Sequence, residues 1–178
     1  MERDLEKVLI EREVIAKRVT EMGKRLSVDY EGKNPIVICI LKGSIIFFAD
    51  LIREIKVPIE IDFVKASSYG RKTESTGMVV LEHELSIDVK DKDILLVEDI
   101  VDSGNTLKCL FDAFKEKGAA DIKICTLLDK PERRVVEVKV DYTGFDIPDE
   151  FVVGYGLDYA QKYRNIPYIG ILKEECYC

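Results

Sequence analysis

Residues 95–107 read LLVEDIVDSGNTL. The apolar residues around the start of this stretch predict a buried strand over Asp93–Val97. A turn over Asp99–Thr106 follows. The next helix, over Leu107–Lys117, is predicted to end just before Gly118, because glycine commonly follows the last turn of a helix. A strand that leads through a polar turn into a helix is the repeating unit of α/β folds, in which ligands bind beyond the carboxyl ends of the strands.

The same alternation extends over the rest of the chain. Apolar residues at helical spacing predict helices over residues 4–27 and 43–52. Short apolar runs predict strands over residues 35–41, 58–64, 78–81, 122–128, 135–142, 151–155 and 168–172. Because strands that alternate with helices form βαβ units, we expect a single α/β domain over residues 1–178, with a central, mostly parallel sheet flanked by helices.

The composition is that of an ordinary globular protein. Hydrophobic residues make up 47% of the chain and charged residues 34%, which excludes a disordered or fibrous class. The net charge of −7 argues against nucleic acid as the main partner. With no apolar run long enough for a membrane span and no signal-peptide core, we expect no membrane contact and a cytoplasmic location. The cysteines are expected as buried thiols, except Cys176 and Cys178, which we expect in a frayed tail.

The acids and the turn after the central strand predict a sugar-phosphate site. Acids crowded at a strand end favour cations or hydroxyl donors such as a ribose diol. The free N–H groups and the dipole of the following helix favour a phosphate. An ordinary helix cap explains the turn alone, but not three acids beside it. The predicted ribose and 5′-phosphate residues are Glu98, Asp99, Asp102, Ser103, Gly104, Asn105 and Thr106. Asp102 is the predicted catalytic residue, as a general base or as a group that stabilises developing positive charge.

The segment Val97–Thr106, VEDIVDSGNT, resembles the phosphoribosyl pyrophosphate motif of type I phosphoribosyltransferases. Within that family the stretch from Pro35 to Lys173 is most similar to the enzymes that use 6-oxopurines. The resemblance implies transfer of the 5-phosphoribosyl group to hypoxanthine or guanine, which is purine salvage. It also implies Mg²⁺ as cofactor, a homo-oligomer, a small hood built from parts of the C-terminal region and the N-terminus, and a mobile lid over about residues 67–77.

Further site residues follow from the same resemblance. The sequence LKG at 41–43 is similar to the family's pyrophosphate loop, with a cis peptide before the lysine. The pyrophosphate-binding residues so implied are Lys42, Gly43, Ser68, Tyr69 and Arg164. The implied metal ligands are Glu98, Asp99 and Asp158.

The purine site is implied by two segments. Lys130 matches the family lysine that donates to the 6-oxo group, and this favours hypoxanthine and guanine over adenine, whose 6-amino group donates. The segment 151–159, FVVGYGLDY, implies that Phe151 stacks on the base, that the backbone of Val152 reads its edge, and that Asp158 also belongs to the site. The alternatives are a solvent-exposed lysine in a turn and a plain core strand.

Two other functions fit the same fold. One is a phosphoribosyltransferase for xanthine or another base. The other is a nucleotide-sensing regulator that binds RNA, which fold alone does not separate from an enzyme. Asp102 favours catalysis, and the acidic balance disfavours RNA.

Overall fold

The computed structural model describes residues 1–68, 79–81 and 85–177, and of residues 66–68 and 79–81 it describes only the backbone. Three helices lie in this part of the chain: α1 (Arg12–Asp29), α2 (Ile45–Glu54) and α3 (Asn105–Glu116). The strands are β1 (Leu5–Ile10), β2 (Ile36–Leu41), β3 (Glu60–Ser68), β4 (Val79–Leu81), β5 (Asp93–Val101), β6 (Asp121–Asp129), β7 (Tyr142–Asp146), β8 (Val152–Val153) and β9 (Ile169–Leu172).

The central sheet has the order β4-β3-β2-β5-β6-β7. Strands β3, β2, β5, β6 and β7 are parallel, and β4 pairs antiparallel with β3. One face packs on α1 and α2 through side chains such as Ile15 and Phe47. The other face packs on α3 through Leu107, Leu110 and Phe114. The prediction of a mostly parallel sheet flanked by helices is therefore confirmed. The carboxyl ends of its parallel strands position the site.

The helix that begins at Asn105 ends as the sequence predicts. Gly118 follows the last turn with a φ of +84°, a conformation that glycine adopts without strain. The N–H of Ala119 donates to the carbonyl of Phe114 at 3.1 Å, which closes the helix with a Schellman motif.

The prediction of one helix over residues 4–27 is wrong at its start. Residues 5–10 form β1, and the helix begins only at Arg12. The pairing of β1 with β9 shifts register between Leu5 and Lys7 and again between Val8 and Ile10. A strand with such irregularities does not alternate strictly, so its apolar residues fall at spacings that resemble a helix.

Strands from both ends of the chain form a second sheet. Its order is β1-β9-β8, and all pairs are antiparallel. We call it the hood sheet. It is built from the two regions from which the hood was expected, while the extent of a single domain over residues 1–178 stays a prediction.

The strand predicted over residues 135–142 is also wrong. The strand of this region is β7, which begins at Tyr142. Val138 and Val140 instead pack against the α3 side of the core. The amides of Val135 and Val136 donate to the carbonyl of Ser103, at 3.0 and 3.2 Å. The segment therefore covers the turn after β5 instead of joining the sheet there.

The chain's last described residues are docked, so the expectation of a frayed tail is wrong up to Tyr177. The amide of Lys173 donates to the carbonyl of Asp4 at 3.0 Å, and the thiol of Cys176 lies 3.8 Å from the same oxygen. Cys178 lies outside the described residues. Cys39 and Cys125 are buried as expected, whereas Cys109 is only partly buried.

The lid prediction is testable only at its edge. Ser67 and Ser68 belong to β3, so a loop begins no earlier than residue 69. The remaining lid residues, including Tyr69, lie outside the part of the chain that the structure describes.

Candidate active site

The acids of the central motif lie at the end of β5. This strand continues to Val101, beyond its predicted end at Val97, so Glu98 and Asp99 are strand residues and Asp102 is the first residue after it. The carboxylate of Glu98 accepts a hydrogen bond from the amide of Asp99 at 3.0 Å. The carboxylate of Asp99 accepts one from the amide of Ile100 at 2.8 Å. Each carboxylate is therefore held against the backbone near the end of β5.

Burial dominates the electrostatics of this pair. It raises the pKa of Glu98 well above its ordinary value, and the nearby charge of Asp99 raises it further. Burial also raises the pKa of Asp99, while hydrogen bonds from Glu98 and Ile100 and the charge of Arg164 oppose that rise. Two acids crowded in this way gain from a nearby cation or from hydroxyl donors.

The turn after β5 opens onto a cavity. Gly104 has a φ of +84° and precedes the first residue of α3. The segment that follows β6 closes one side, since Arg134 Nη1 donates to the carbonyl of Asp102 at 3.2 Å. A cavity of about 250 Å³ remains beside the turn. Of the predicted sugar-phosphate residues, it is lined by Glu98, Asp102, Ser103, Gly104 and Thr106.

Asp99 faces a different neighbour, the loop after β2. A Cβ added at Gly43 would lie only 1.7 Å from Asp99 Oδ2, so the loop backbone passes directly over the carboxylate. The peptide bond between Leu41 and Lys42 in this loop is cis, as the family resemblance implies. Ser44 is fully buried and donates to the carbonyl of Ile40, which anchors the loop to the end of β2.

A third segment meets this loop from the hood side. A Cβ added at Gly156 would lie 2.0 Å from the carbonyl oxygen of Gly43. Arg164 donates to the carbonyl of Gly156 at 2.8 Å and pairs with Asp158 at 2.7 Å. The structure thus brings the predicted pyrophosphate and metal residues Gly43, Asp99, Asp158 and Arg164 into one neighbourhood. Asp158 points to Arg164 and to the amide of Gln161, at 2.8 Å.

Lys130 lies between the acids and the hood. Its side chain is only 6% exposed, so the alternative of a solvent-exposed lysine in a turn is wrong. The ammonium donates to the carbonyl of Glu150 at 2.7 Å. It lies 3.8 Å from Asp102 Oδ1 and 3.6 Å from Asp149 Oδ1. The predicted base-recognition lysine and the predicted general base are therefore direct neighbours.

Phe151 and Val152 present different groups beside this lysine. The Phe151 side chain is 36% exposed. Val152 has a buried side chain and lies in β8, the edge strand of the hood sheet. The amide of Leu172 donates to the carbonyl of Phe151 at 2.8 Å. Because bonding alternates along an antiparallel ladder, the N–H and C=O of Val152 point away from β9, toward the open edge.

Comparison with known proteins agrees with this geometry. The family profile described as "phosphoribosyl transferase domain" matches residues 9–160. The chain is 54% identical to the hypoxanthine-guanine phosphoribosyltransferase of Streptococcus pneumoniae over 177 residues, which is 99% of this chain and 98% of that protein. The chain belongs to the phosphoribosyltransferase family.

Solved structures of other phosphoribosyltransferases superpose closely on this phosphoribosyltransferase. A crystal structure of a hypoxanthine phosphoribosyltransferase from Staphylococcus aureus superposes with a TM-score of 0.96 at 46% identity, covering 100% of this chain and 97% of that one. A hypoxanthine-guanine phosphoribosyltransferase from Bacillus anthracis superposes with a TM-score of 0.91 at 48% identity, covering 95% and 99% of the two chains.

Two further features of this phosphoribosyltransferase concern metal binding and membrane crossing. Within the described ranges, no three His, Cys, Asp or Glu side chains cluster closely enough to hold a metal ion by themselves. None of the described helices combines the length and the apolar character that crossing a bilayer requires.

Sequence reasoning missed several residues of the phosphoribosyltransferase site. Asp149 pairs with Lys130 and also with Arg133, at 3.2 Å. Arg134 forms a largely buried ion pair with Asp129. Tyr177 stacks on Phe151. Asp149 could have been noticed two residues before Phe151, whereas nothing in the sequence connects the C-terminal tyrosine with residue 151.

Proposed function

We propose that this protein transfers the 5-phosphoribosyl group of phosphoribosyl pyrophosphate to hypoxanthine or guanine, giving IMP or GMP and pyrophosphate. Relatives that carry the name hypoxanthine-guanine phosphoribosyltransferase, at 54% and 48% identity over 99% of the chain, support this proposal. The observation that carries it is the position of Lys130, whose ammonium lies beside both Asp102 and the carbonyl that precedes Phe151.

The sugar-phosphate end of the substrate fits the carboxyl end of β5 and the turn that follows it. Glu98 and Asp99 would accept hydrogen bonds from the 2′ and 3′ hydroxyls, because buried carboxylates gain from such donors. The backbone of the turn from Ser103 to Thr106, at the N-terminus of α3, would hold the 5′-phosphate. The cavity beside that turn has room for a phosphate group and a pentose edge.

The pyrophosphate end fits the junction of the three segments. The backbone of Lys42 and Gly43 and the guanidinium of Arg164 would contact it. Ser68, the last residue of β3, is proposed to contact it as well, and Tyr69 is proposed to close over it. Closure would keep water from the ribosyl cation, which water hydrolyses readily.

Mg²⁺ is the cofactor we propose for this end of the substrate. When bound, it would neutralise the leaving pyrophosphate and orient it. Glu98, Asp99 and Asp158 offer oxygen ligands, which a hard cation prefers. Because the described residues form no metal cage of their own, we expect substrate oxygens to complete the coordination.

The base end fits Lys130 and the hood. The ammonium of Lys130 would donate to the 6-oxo group, Phe151 would stack on the ring, and the backbone of Val152 would read the ring's edge. The C1′–O bond to pyrophosphate breaks and the bond from purine N9 to C1′ forms. Asp102, which is half exposed at the cavity, would accept the proton of purine N7, an effect of about 10² to 10⁴-fold.

One experiment tests the proposal directly. The protein is mixed with phosphoribosyl pyrophosphate, Mg²⁺ and one of five bases, and the nucleotide is followed by ultraviolet absorbance. We expect turnover with hypoxanthine and guanine and little with adenine or uracil. Turnover with xanthine alone would contradict the assigned substrates, and turnover with adenine as fast as with hypoxanthine would contradict the assigned role of Lys130.

The oligomeric state and the location of the protein are further proposals. We propose a homo-oligomer that works in the cytoplasm, as the family resemblance implies. Light scattering coupled to size-exclusion chromatography measures the number of subunits, and a monomer at micromolar concentration would contradict the first of these.

A further inference from the structure

Three aromatic side chains meet in the hood. The ring of Tyr177 stacks on the ring of Phe151, with centroids 4.7 Å apart and planes 21° from parallel. The ring of Tyr159 meets Phe151 edge-on, with centroids 5.6 Å apart and planes at 88°. We call these three residues the aromatic cluster. Offset stacking and edge-to-face contacts are the two favourable arrangements of aromatic pairs.

The position of Tyr177 is determined by the hood. Tyr177, Cys176 and Tyr159 pack against a small apolar core that includes Leu5 and Leu172. The amide of Tyr177 donates to the carbonyl of Glu174 at 3.0 Å, so a short turn presents its ring to Phe151. Tyr177 is therefore part of the packing of the hood sheet.

The stack determines which face of Phe151 is left for a ligand. Tyr177 covers one face and Tyr159 meets the ring edge-on, yet 36% of the Phe151 side chain is exposed. An aromatic ring has only two faces, so a planar base would have to use the second one. A ring already fixed by a neighbour loses less conformational entropy when a ligand stacks on it.

We propose that Tyr177 is a positioning residue for the purine base. It stacks behind Phe151 and holds that ring in the orientation in which the base binds, so that the base, Phe151 and Tyr177 form three layers. This inference rests on the proposed function, which assigns Phe151 to the base. It gives the C-terminal tail a part in base affinity and none in binding of phosphoribosyl pyrophosphate.

The test compares three variants in steady-state kinetics. Tyr177→Leu keeps an apolar side chain but removes the stack, and we expect the KM for hypoxanthine to rise by about two- to tenfold, from the usual strength of an aromatic pair. The KM for phosphoribosyl pyrophosphate should not change. Tyr177→Phe keeps the ring and should match the unsubstituted protein. Cys176→Ala alters the tail next to the stack and should also leave the KM for hypoxanthine unchanged.

A second measurement separates positioning from general loss of structure. IMP and ribose 5-phosphate share the sugar phosphate, and only IMP carries a base. In Tyr177→Leu the inhibition constant of IMP should rise by the same factor as the KM for hypoxanthine, while that of ribose 5-phosphate stays constant. An equal rise for both inhibitors, or an equal rise in KM for Cys176→Ala, would show that the tail acts through overall stability, and the inference would be wrong.

The remaining outcomes also decide the question. A lower KM for hypoxanthine in Tyr177→Leu would mean that Tyr177 occupies the place of the base, which overturns the inference. An unchanged KM would overturn it as well. If the unsubstituted protein shows no turnover with hypoxanthine, or if Phe151→Ala binds IMP normally, the fault lies in the proposed function and not in the role of Tyr177 alone.

Discussion

Replacing Gly43 by alanine tests whether the loop after β2 and the acids of β5 share one pocket. A Cβ at Gly43 would lie 1.7 Å from Asp99 Oδ2 and 2.7 Å from its Cγ. Non-bonded atoms need about 3.4 Å, so the carboxylate would have to retreat by about 1.7 Å. That movement would break the hydrogen bond from the amide of Ile100, which now measures 2.8 Å.

The size of the expected effect follows from this displacement. A misplacement of about 1 Å at a catalytic site commonly costs about 100-fold in rate. We therefore expect Gly43→Ala to lower kcat/KM for phosphoribosyl pyrophosphate by about 100-fold, equivalent to about 2.7 kcal/mol. The assay follows IMP formation by ultraviolet absorbance at varied phosphoribosyl pyrophosphate and saturating hypoxanthine.

Gly32→Ala is the matched control. Gly32 has a φ of +74° and no atom within 4 Å of an added Cβ. The substitution should cost about 1–2 kcal/mol of folding stability from the left-handed backbone alone. Because Gly32 lies in the loop that leads into β2, at the opposite end of the parallel strands from the site, kcat/KM should stay unchanged at 25 °C. The comparison separates loss of stability, measured by thermal unfolding, from loss of the site.

A double-mutant cycle identifies the cause. If the clash with Asp99 is responsible, Gly43→Ala combined with Asp99→Ala should be no slower than Asp99→Ala alone, since the clashing carboxylate is gone. Wild-type kcat/KM in Gly43→Ala, or effects that simply add in the double variant, would refute the reasoning.

Three further predictions concern single side chains. Lys130→Met should lower kcat/KM for hypoxanthine by about 10- to 150-fold, the usual worth of a hydrogen bond to a charged group, and should not lower it for adenine. Asp102→Asn should lower kcat by about 10² to 10⁴-fold and leave IMP binding nearly intact. Burial raises the pKa of Cys39 to about 11 from an ordinary value near 9. As pH rises, the Cys39 thiol ionises in the unfolded protein before it ionises in the folded protein. The stability that this thiol contributes is therefore complete below pH 9 and is lost as pH rises to 11. Compared with Cys39→Val, the unsubstituted protein should lose about 2 kcal/mol of unfolding free energy by pH 11, measured by urea denaturation.

Each of these has an outcome that contradicts it. A Lys130→Met enzyme that keeps its preference for hypoxanthine would remove the lysine from base recognition. Equal kcat values with and without the Asp102 carboxylate would exclude proton transfer there. If the unsubstituted protein and Cys39→Val lost the same unfolding free energy above pH 9, other buried groups would account for the loss.

The sequence predicted the central sheet well because its strands are buried on both faces. Strands such as β2 read as continuous apolar runs, and polar residues follow them where the parallel strand ends meet. The β5 acids and Lys130 lie near one another because β5 and β6 are neighbours in the sheet, whereas the sequence implied a role for Lys130 only through the family resemblance. Local pattern and tertiary position coincide in this part of the chain.

The hood could not be predicted in the same way. The residues of β1 pair with β9 through two register shifts, so neither strict alternation nor a helical period identifies the strand. The segment 135–141 alternates valines with polar residues but uses its amides on the turn at Ser103. In both cases the conformation depends on a distant partner that no local window contains.

Contacts between segments that are distant along the chain could not be predicted from the sequence either. The approach of Gly43 to Asp99 and of Gly156 to Gly43 joins three segments that are far apart along the chain. A glycine signals room for close approach, but it does not name the atom that approaches. The stacking of Tyr177 on Phe151 belongs to the same class of contact.

A ribosome releases β1 long before β9 has been translated. Leu5 pairs with Leu172, so β1 stays without its neighbour until the segment that contains β9 has also emerged. The parallel sheet can assemble earlier, since β2, β5 and β6 lie closer together along the chain. We therefore expect nascent chains halted before residue 169 to protect the central sheet from proteases while leaving residues 5–10 open to cleavage.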